Sequence, residues 1–191
     1  YTIEKLSNLG AVEIITNGDP LGKERLLEIY NSKTSRLIIS LYDGPKQLNK
    51  FKKMIKDSGI GEDLVILRDR WYSDKKDYGV KLTNRAGTIS IGNQPDVENY
   101  RYRKCFYPTY SVLIDWNGDI FLCPQDWQRR ISIGNLMQKH FIDIWNGSLM
   151  NKYRNTLLQG NRREKPCKNC NVDGQIQGEK HAKEWNKVYK I

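Results

Sequence analysis

The cysteines of this chain are the side chains best suited to bind a metal. Cys167 and Cys170 are separated by two residues, a spacing that lets both sulfur atoms of a knuckle face one metal centre. Cys123 follows the Asn-Gly turn signal at 117–118, so it ends the second strand of a predicted hairpin, and Cys105 lies just before the first strand. Because an antiparallel hairpin brings these two ends together, we expect all four thiols to converge on one centre.

Four cysteines are compatible with three arrangements when spacing alone is considered. A structural Zn²⁺ ion and an iron–sulfur cluster both accept four cysteine sulfurs, and two disulfides in one of three connectivities are the other arrangement. Four cysteines in 191 residues are too few for a small secreted disulfide scaffold, and no charged and apolar leader opens the chain. A metal site is therefore the first hypothesis, and we expect a cytoplasmic location.

The first hundred residues contain alternating strand and helix patterns. Apolar runs at 11–15, 37–41 and 63–67 predict strands, and apolar residues at helical spacing predict helices at 20–31 and 48–58. Strands that alternate with helices indicate right-handed parallel crossovers. The predicted fold class is therefore α/β, a partial (β/α) barrel fragment with parallel strands.

Polar residues lie where these predicted strands end. Thr16 and Asn17 follow the first strand, Ser40 lies in the second, and Arg68 follows the third. The C-terminal ends of parallel strands share one edge, where α/β proteins build their sites. An ordinary strand–helix turn explains Thr16 and Asn17 as well, and Arg68 could instead pair with a neighbouring aspartate.

The pattern changes in the second half of the chain. Segment 69–104 is interpreted as the end of the first domain and a linker, with a possible strand at 88–91. The elements predicted beyond it are strands at 110–116 and 119–122 and helices at 141–145, 148–158 and 179–189. We predict one domain at 1–100 and a second at 101–191, the latter a small α+β domain with a β-hairpin.

The cysteine motifs resemble the SPASM or twitch extension of radical S-adenosylmethionine (radical SAM) enzymes. The resemblance rests on Cys105-x12-Gly118-x4-Cys123, Gly134-Asn135, Ile144-Trp145-Asn146 and Cys167-x-x-Cys170. It implies one auxiliary [4Fe–4S] cluster, with Cys105, Cys123, Cys167 and Cys170 as its ligands. The full SPASM pattern has further cysteines for a second auxiliary cluster. This chain has none left, so it is closer to the single-cluster form.

The first half resembles the middle of the radical SAM partial barrel. Segment 14–18 ends in Thr-Asn-Gly and segment 37–41 precedes Asp-Gly, although Tyr42 interrupts the family's order by one residue. The match implies that Ser40 lies near the ribose or carboxylate of S-adenosylmethionine (SAM). The other residues expected at this SAM or substrate edge are Thr16, Asn17 and Arg68.

One departure from the family concerns the catalytic cluster. Radical SAM enzymes bind it through C-x-x-x-C-x-x-C, and no three cysteines here have that spacing. We therefore expect an N-terminally incomplete part of a parent oxidoreductase or maturase, one that does not cleave SAM alone. The resemblance implies that the parent holds SAM and a second [4Fe–4S] cluster and abstracts hydrogen from a peptide, sugar or small metabolite through a 5′-deoxyadenosyl radical. It also implies a cellular electron donor such as flavodoxin or ferredoxin.

Three further titratable residues are of a type that could contribute to the site. Asp126, three residues after Cys123, matches an acidic position of the family and is a candidate for proton transfer near the cluster. A carboxylate that only holds a turn is the other interpretation. His140 and His181 are far from the cysteine motifs in sequence, so we expect both to be structural or solvent-facing.

Charge and hydropathy limit the classes of partner. The longest apolar run, at 64–67, is four residues, against roughly 18 for a membrane span. Residues 151–191 carry 10 basic and 4 acidic side chains of a chain with net charge +10. The alternative to an enzyme is therefore a zinc-stapled, non-enzymatic binding module whose basic tail binds nucleic acid or an acidic protein. A solvated lysine-rich helix explains the tail more simply, and we expect neither nucleic acid nor a membrane as a partner.

Overall fold

The structure is a computed structural model that describes residues 2–70, 83–90, 94–174, 179, 182–183 and 187. The chain divides into unit 1, Tyr1–Val80, and unit 2, Lys81–Ile191. Each unit has its own sheet and its own apolar core. No helix within these described ranges has both the length and the apolar character that crossing a membrane requires.

Unit 1 is built on a parallel sheet of three strands. These are β1 (Glu13–Thr16), β2 (Arg36–Leu41) and β3 (Val65–Asp69), in the order β1-β2-β3. The helices are α1 (Thr2–Ser7), α2 (Lys23–Asn31) and α3 (Pro45–Ser58), with a 3₁₀ turn at Glu62–Leu64. This alternation of parallel strands and helices confirms the predicted α/β class.

The core of unit 1 lies between the sheet and its helices. β2 is the central strand, and Leu37, Ile39 and Leu41 project from the same face because side chains alternate along a strand. These three residues are fully buried and pack with Leu26 of α2 and Phe51 of α3. The apolar stripe that predicted α3 from the sequence is therefore the surface by which this helix covers the sheet.

Unit 2 contains an antiparallel sheet in the order β4-β5-β6. β4 (Leu113–Ile114) and β5 (Asp119–Phe121) form the predicted hairpin, and Gly118 in its turn has a φ of 84°. The remaining elements are a 3₁₀ turn at Val97–Tyr100, α4 (Tyr107–Tyr110), β6 (Ser132–Asn135), α5 (Phe141–Trp145), α6 (Ser148–Leu158) and a 3₁₀ turn at Cys167–Asn169.

Two predicted strands of the second half differ in the structure. Tyr110 ends α4 instead of opening a strand, because Pro108 begins a helical turn in which its missing N–H has no partner to lose. The described part of segment 88–91 is not a strand: Thr88 ends a turn in which its N–H donates to the carbonyl of Asn84 at 2.8 Å, and residues 89–90 have no regular structure. Most of the helix predicted at 179–189 lies outside the described residues.

Gly18, in the turn after β1, provides a test of the packing in unit 1. Its φ is +81°, and an added Cβ would lie 2.5 Å from Cζ of Phe51 and 2.9 Å from Cγ2 of Ile39. Gly59 also has a positive φ, +66°, but open space around the same position. We expect Gly18→Ala to lower the free energy of unfolding by about 1–3 kcal/mol more than Gly59→Ala, because overpacking adds to the backbone strain that both share.

Native-state hydrogen exchange of the β2 amides measures this difference directly, because their opening reports the stability of unit 1. A Gly59→Ala variant that loses as much protection in β2 as Gly18→Ala would contradict the expectation.

Candidate metal centre

The four thiols line one cavity of unit 2. Cys105 precedes α4, Cys123 follows β5, and Cys167 and Cys170 flank the last 3₁₀ turn. All four are free cysteines, and together they line a cavity of about 30 Å³. In the described part of the chain, no group of three or more His, Cys, Asp or Glu side chains forms a site for a single metal ion. Since all four thiols line the same cavity, they form one candidate centre.

Backbone hydrogen bonds place Cys105 at this cavity. Its N–H donates to the carbonyl of Leu157, in the last turn of α6, at 3.1 Å. The next N–H, that of Phe106, donates to the carbonyl of Gly174 at 2.8 Å. Because α4 lies between Cys105 and β4, the end of α6 and the segment after the knuckle position this thiol. The prediction that the open end of the hairpin positions this thiol is therefore wrong.

The walls of the cavity are apolar, and they change the protonation of the thiols. Leu122, Leu157 and Val172 are at most 4% exposed. Burial raises the pKa of all four cysteines. Neighbouring cysteines raise the pKa of Cys105, Cys123 and Cys167 further, because two thiolates repel. Without a cation the neutral thiol is therefore the favoured form. A bound metal reverses this preference, because the thiolate is the ligand.

Backbone N–H groups donate to three of the four sulfur atoms. The Sγ of Cys123 accepts from the N–H of Gln125 at 3.4 Å. The thiol of Cys105 accepts a hydrogen bond from the N–H of Tyr107. Both hydrogen bonds lower the pKa of the thiol that accepts them, whereas burial raises it. The donors to Cys170 are the N–H groups of Ala86 and Val172. Such N–H···S bonds stabilise negative charge on sulfur and set the redox potential of a metal bound there.

The donor at Ala86 belongs to a loop within segment 69–104, which is predicted to be the end of the first domain and a linker. Arg85, Ala86 and Gly87 all have positive φ, at 47°, 55° and 82°. Two side-chain amides anchor the loop to the knuckle. The N–H of Asn84 donates to Oδ1 of Asn171 at 2.7 Å, and the N–H of Asn171 donates back to Oδ1 of Asn84 at 3.2 Å. Two successive non-glycine residues in the left-handed region carry strain that the surrounding contacts offset.

Asp126 lies in the wall of the same cavity and is fully buried. Its Oδ2 accepts hydrogen bonds from the N–H groups of Arg130, at 2.7 Å, and Ile131, at 3.2 Å. Its Oδ1 has no hydrogen-bond partner among the described residues, although Nη1 of Arg130 lies 3.6 Å away. One oxygen therefore holds the loop after Cys123, as the turn interpretation expects, and the other faces the guanidinium of Arg130 without a hydrogen bond.

Thr16 and Asn17 use their side chains within the turn that follows β1. The Oγ1 of Thr16 accepts from the N–H of Gly18 at 3.1 Å. The amide of Asn17 donates to Oδ2 of Asp19 at 2.6 Å and accepts from the N–H of Asp19 at 3.2 Å. These contacts are those of an ordinary strand–helix turn.

Ser40 and Arg68 lie together on the sheet of unit 1. They are directly opposite each other in the pairing of β2 with β3, and Ser40 is 7% exposed. Thr16 lies opposite Ile39, one residue before Ser40, so the three residues share the C-terminal edge of the sheet. The edge expected from the sequence is therefore present within unit 1.

His140, the histidine that the described ranges contain, does not line the cysteine cavity. His140 precedes α5, and its Nδ1 accepts from the N–H of Ile142 at 3.3 Å, which is a helix cap. This matches the structural role expected for it. His181 lies outside the described residues.

Comparison with protein families identifies the cysteine-bearing region. Residues 105–171 match the SPASM family, an iron–sulfur cluster-binding domain. This match confirms the predicted SPASM-type extension and iron–sulfur cofactor. A curated relative from Niallia circulans, an S-adenosyl-L-methionine-dependent 2-deoxy-scyllo-inosamine dehydrogenase, is 28% identical over 160 residues. The match covers 83% of this chain and 59% of the relative's length.

Two solved structures have the same fold. The structure of BtrN in complex with AdoMet and 2-DOIA superposes with a TM-score of 0.68 at 23% identity, covering 89% of this chain and 65% of BtrN. The structure of selenomethionine BtrN in an open conformation gives a TM-score of 0.62 at 18% identity, covering 94% and 66%. These likenesses confirm the fold class predicted from the sequence.

Gly174 tests how closely the chain must pack beside the cavity. An added Cβ would lie 2.7 Å from Sγ of Cys105 and 2.8 Å from Nη2 of Arg162. Gly118 has a similar φ, but its nearest atoms are 3.5 Å away. We expect Gly174→Ala to lower the iron and acid-labile sulfide bound per chain after anaerobic reconstitution, because the methyl group displaces the Cys105 thiol.

The matched control for this variant is Gly118→Ala, which introduces comparable backbone strain in the same unit without the overlap. It should retain the iron and sulfide content of the unmodified protein. Full iron content in Gly174→Ala would show that the Cys105 thiol tolerates displacement and would contradict the expectation.

Proposed function

We propose that this chain, which is of the radical SAM type and carries a SPASM-type iron–sulfur domain, binds an auxiliary [4Fe–4S] cluster within an enzyme that oxidises a small molecule. The observation that supports this most directly is the convergence of four free thiols on one apolar cavity. The proposed ligands are Cys105, Cys123, Cys167 and Cys170.

The residues around the cavity fit such a cluster. Soft thiolates favour iron–sulfur clusters, and four of them provide one ligand for every iron of a [4Fe–4S] core. The apolar walls and the N–H groups aimed at sulfur are the surroundings that tune such a centre. A zinc ion also accepts four thiolate donors, but the described side chains are not arranged around a single metal ion, and the iron–sulfur family match over residues 105–171 favours the cluster.

The reaction class that we propose is dehydrogenation of a hydroxylated small molecule. The relative from Niallia circulans is named as a dehydrogenase of 2-deoxy-scyllo-inosamine. Oxidation of an alcohol to a carbonyl by this chemistry removes a hydrogen atom from carbon, a proton from oxygen and one further electron. In the parent enzyme, a 5′-deoxyadenosyl radical derived from SAM would accept the hydrogen atom. When bound, a cluster with all four irons ligated supplies an acceptor for the electron.

Asp126 is our candidate for the proton acceptor. It lies in the wall of the cysteine cavity, and its Oδ1 accepts no hydrogen bond from the described residues. The bonds from the Arg130 and Ile131 N–H groups to Oδ2 fix the orientation of the carboxylate. A carboxylate held in this way is positioned to receive a proton with little reorganisation.

The edge of the unit 1 sheet is our candidate for the SAM or substrate site. Ser40 and Arg68 lie opposite each other there, and a guanidinium binds carboxylates with two parallel hydrogen bonds. Thr16 and Asn17 belong to the same proposed edge, but their side chains are engaged in the turn after β1, so we assign them to shaping the edge.

The electron donor that we propose is a small acidic carrier of the flavodoxin or ferredoxin kind. Arg101, Arg163 and Lys168 line a surface cavity of about 370 Å³, and Lys168 lies between the two knuckle cysteines in sequence. A cationic surface attracts an acidic carrier and speeds its association.

The ligand assignment predicts a clear difference between two neighbouring positions. Cys167→Ala should remove most of the iron, the acid-labile sulfide and the visible absorption of the anaerobically reconstituted protein, because one iron loses its thiolate. Lys168→Ala, an exposed neighbour in the same turn, should leave all three unchanged. Metal analysis and absorption spectra provide the measurement.

The outcomes of this experiment separate the two metals. A colourless protein with one zinc per chain, retained in air, would favour the zinc module and overturn the proposed function. A Cys167→Ala protein with full iron content would contradict the ligand set. Circular dichroism of Cys167→Ser, in which oxygen replaces sulfur at constant shape, shows whether any loss of iron comes from unfolding.

The role of Asp126 predicts a loss of product without a loss of cluster. In the full-length enzyme, Asp126→Asn should lower product formation by about 10²-fold or more, because the amide retains a hydrogen-bond acceptor but cannot accept the proton. Iron content should not change. Asp143→Asn, an exposed carboxylate on α5, is the control. Unchanged turnover, or turnover lost together with iron, would restrict Asp126 to a structural role.

A further inference from the structure

Arg162 carries a buried positive charge beside the cysteines. The residue is 3% exposed, and its guanidinium also lines the cysteine cavity. Its hydrogen bonds go to four backbone carbonyls: Arg103 at 2.8 Å, Lys104 at 3.1 Å, Val172 at 2.6 Å and Asp173 at 2.7 Å. None of the ion pairs formed among the described residues joins Arg162 to a carboxylate. The carboxylate of Asp173 instead pairs with Nη1 of Arg103 at 3.0 Å.

Neutral carbonyls satisfy the N–H groups of a guanidinium but do not neutralise it. A buried charge is costly unless an opposite charge lies nearby. Arginine cannot escape this cost by deprotonation, because its pKa lies above any physiological pH. The surroundings of Arg162 therefore favour a bound anion, because no described carboxylate forms an ion pair with it.

The cysteines lie next to the guanidinium of Arg162, where an anion bound to them would offset its charge. A single point, the position of a Cβ on Gly174, lies 2.7 Å from Sγ of Cys105 and 2.8 Å from Nη2 of Arg162. A centre held by four thiolates carries a net negative charge in this cavity, next to the cation.

The hydrogen bonds of Arg162 also join the two segments that carry ligands. Arg103 and Lys104 immediately precede Cys105, whereas Val172 and Asp173 follow Cys170. The planar fork of arginine can hold both segments at once, which the single ammonium of lysine cannot do in the same way. The side chain is therefore positioned by the same backbone that positions the cysteines.

We propose that Arg162 is the buried countercharge of the cysteine-bound cluster, a positioning residue that fixes the segments of Cys105 and Cys170 and raises the reduction potential of the cluster. The inference rests on the proposed function, because it needs a cluster at the four thiols. A fixed positive charge stabilises the reduced and more negative state of the centre, which makes the cluster a better electron acceptor.

The test compares three variants of the full chain, reconstituted anaerobically with iron and sulfide. Arg162→Gln removes the buried charge. Arg162→Lys keeps the charge but loses the planar guanidinium that donates to both segments. Arg163→Gln removes one charge from the neighbouring, exposed position and is the matched control. Iron and sulfide content is measured first. The reduction potential is then obtained by a redox titration followed by electron paramagnetic resonance.

We expect Arg162→Gln to have a lower reduction potential than the unmodified protein, with Arg163→Gln unchanged. Arg162→Lys should keep a potential closer to the unmodified value and lose part of its bound iron, because the charge remains while the clamp is weakened. If Arg162→Gln binds too little cluster for titration, the reduction potential of the cluster in Arg162→Lys tests the role of the charge instead. A large decrease there would contradict the role of the charge.

Two other results would overturn the inference. An unchanged potential in Arg162→Gln would leave the residue as a clamp alone. Equal decreases in Arg162→Gln and Arg163→Gln would assign the effect to net charge instead of a buried countercharge. An unmodified protein that binds zinc or no cluster would instead refute the proposed function, so the two failures are distinguishable.

Discussion

The structure of unit 2 depends on holding four sulfur atoms around a space that no single element encloses. The cysteines come from segments before α4, after β5 and around the last 3₁₀ turn, and each must approach with its thiol inward. Burial favours the neutral thiol and so opposes metal binding, while N–H groups at three sulfurs favour the thiolate. The site is therefore a balance between an apolar wall that excludes water and polar backbone that stabilises charge on sulfur.

The same constraint explains why irregular backbone surrounds the cavity. A sulfur atom inside an apolar wall obtains N–H donors only if loops turn their backbone toward it. Ala86 does so through a left-handed turn that the paired amides of Asn84 and Asn171 hold in place. Regular strands and helices use their N–H groups internally, so they could not serve this purpose. Unit 1, where polar residues lie at a sheet edge, needs no such loops.

The sequence predicted the regular elements because each has a local cause. The apolar face of α3 ends at a left-handed Gly59, and the Asn-Gly signal closes the hairpin at Gly118. The loop at 83–90 was missed because neither Arg85 nor Ala86 is a residue type associated with positive φ. Arg162 was missed for a related reason. In a basic segment its charge is typical of a solvated surface, and only the three-dimensional contacts reveal the burial.

The buried guanidinium connects the packing of the site with its proposed chemistry. Four thiolates around iron place negative charge in an apolar cavity, whose wall also contains the buried carboxyl group of Asp126. Without a cation, this charge would favour the oxidised cluster and oppose the uptake of an electron from substrate. Arg162 offsets it on the side of Cys105 and Cys170, and Arg130 lies beside Asp126. Because arginine stays charged, this effect on the proposed electron acceptor does not depend on the protonation of any neighbour.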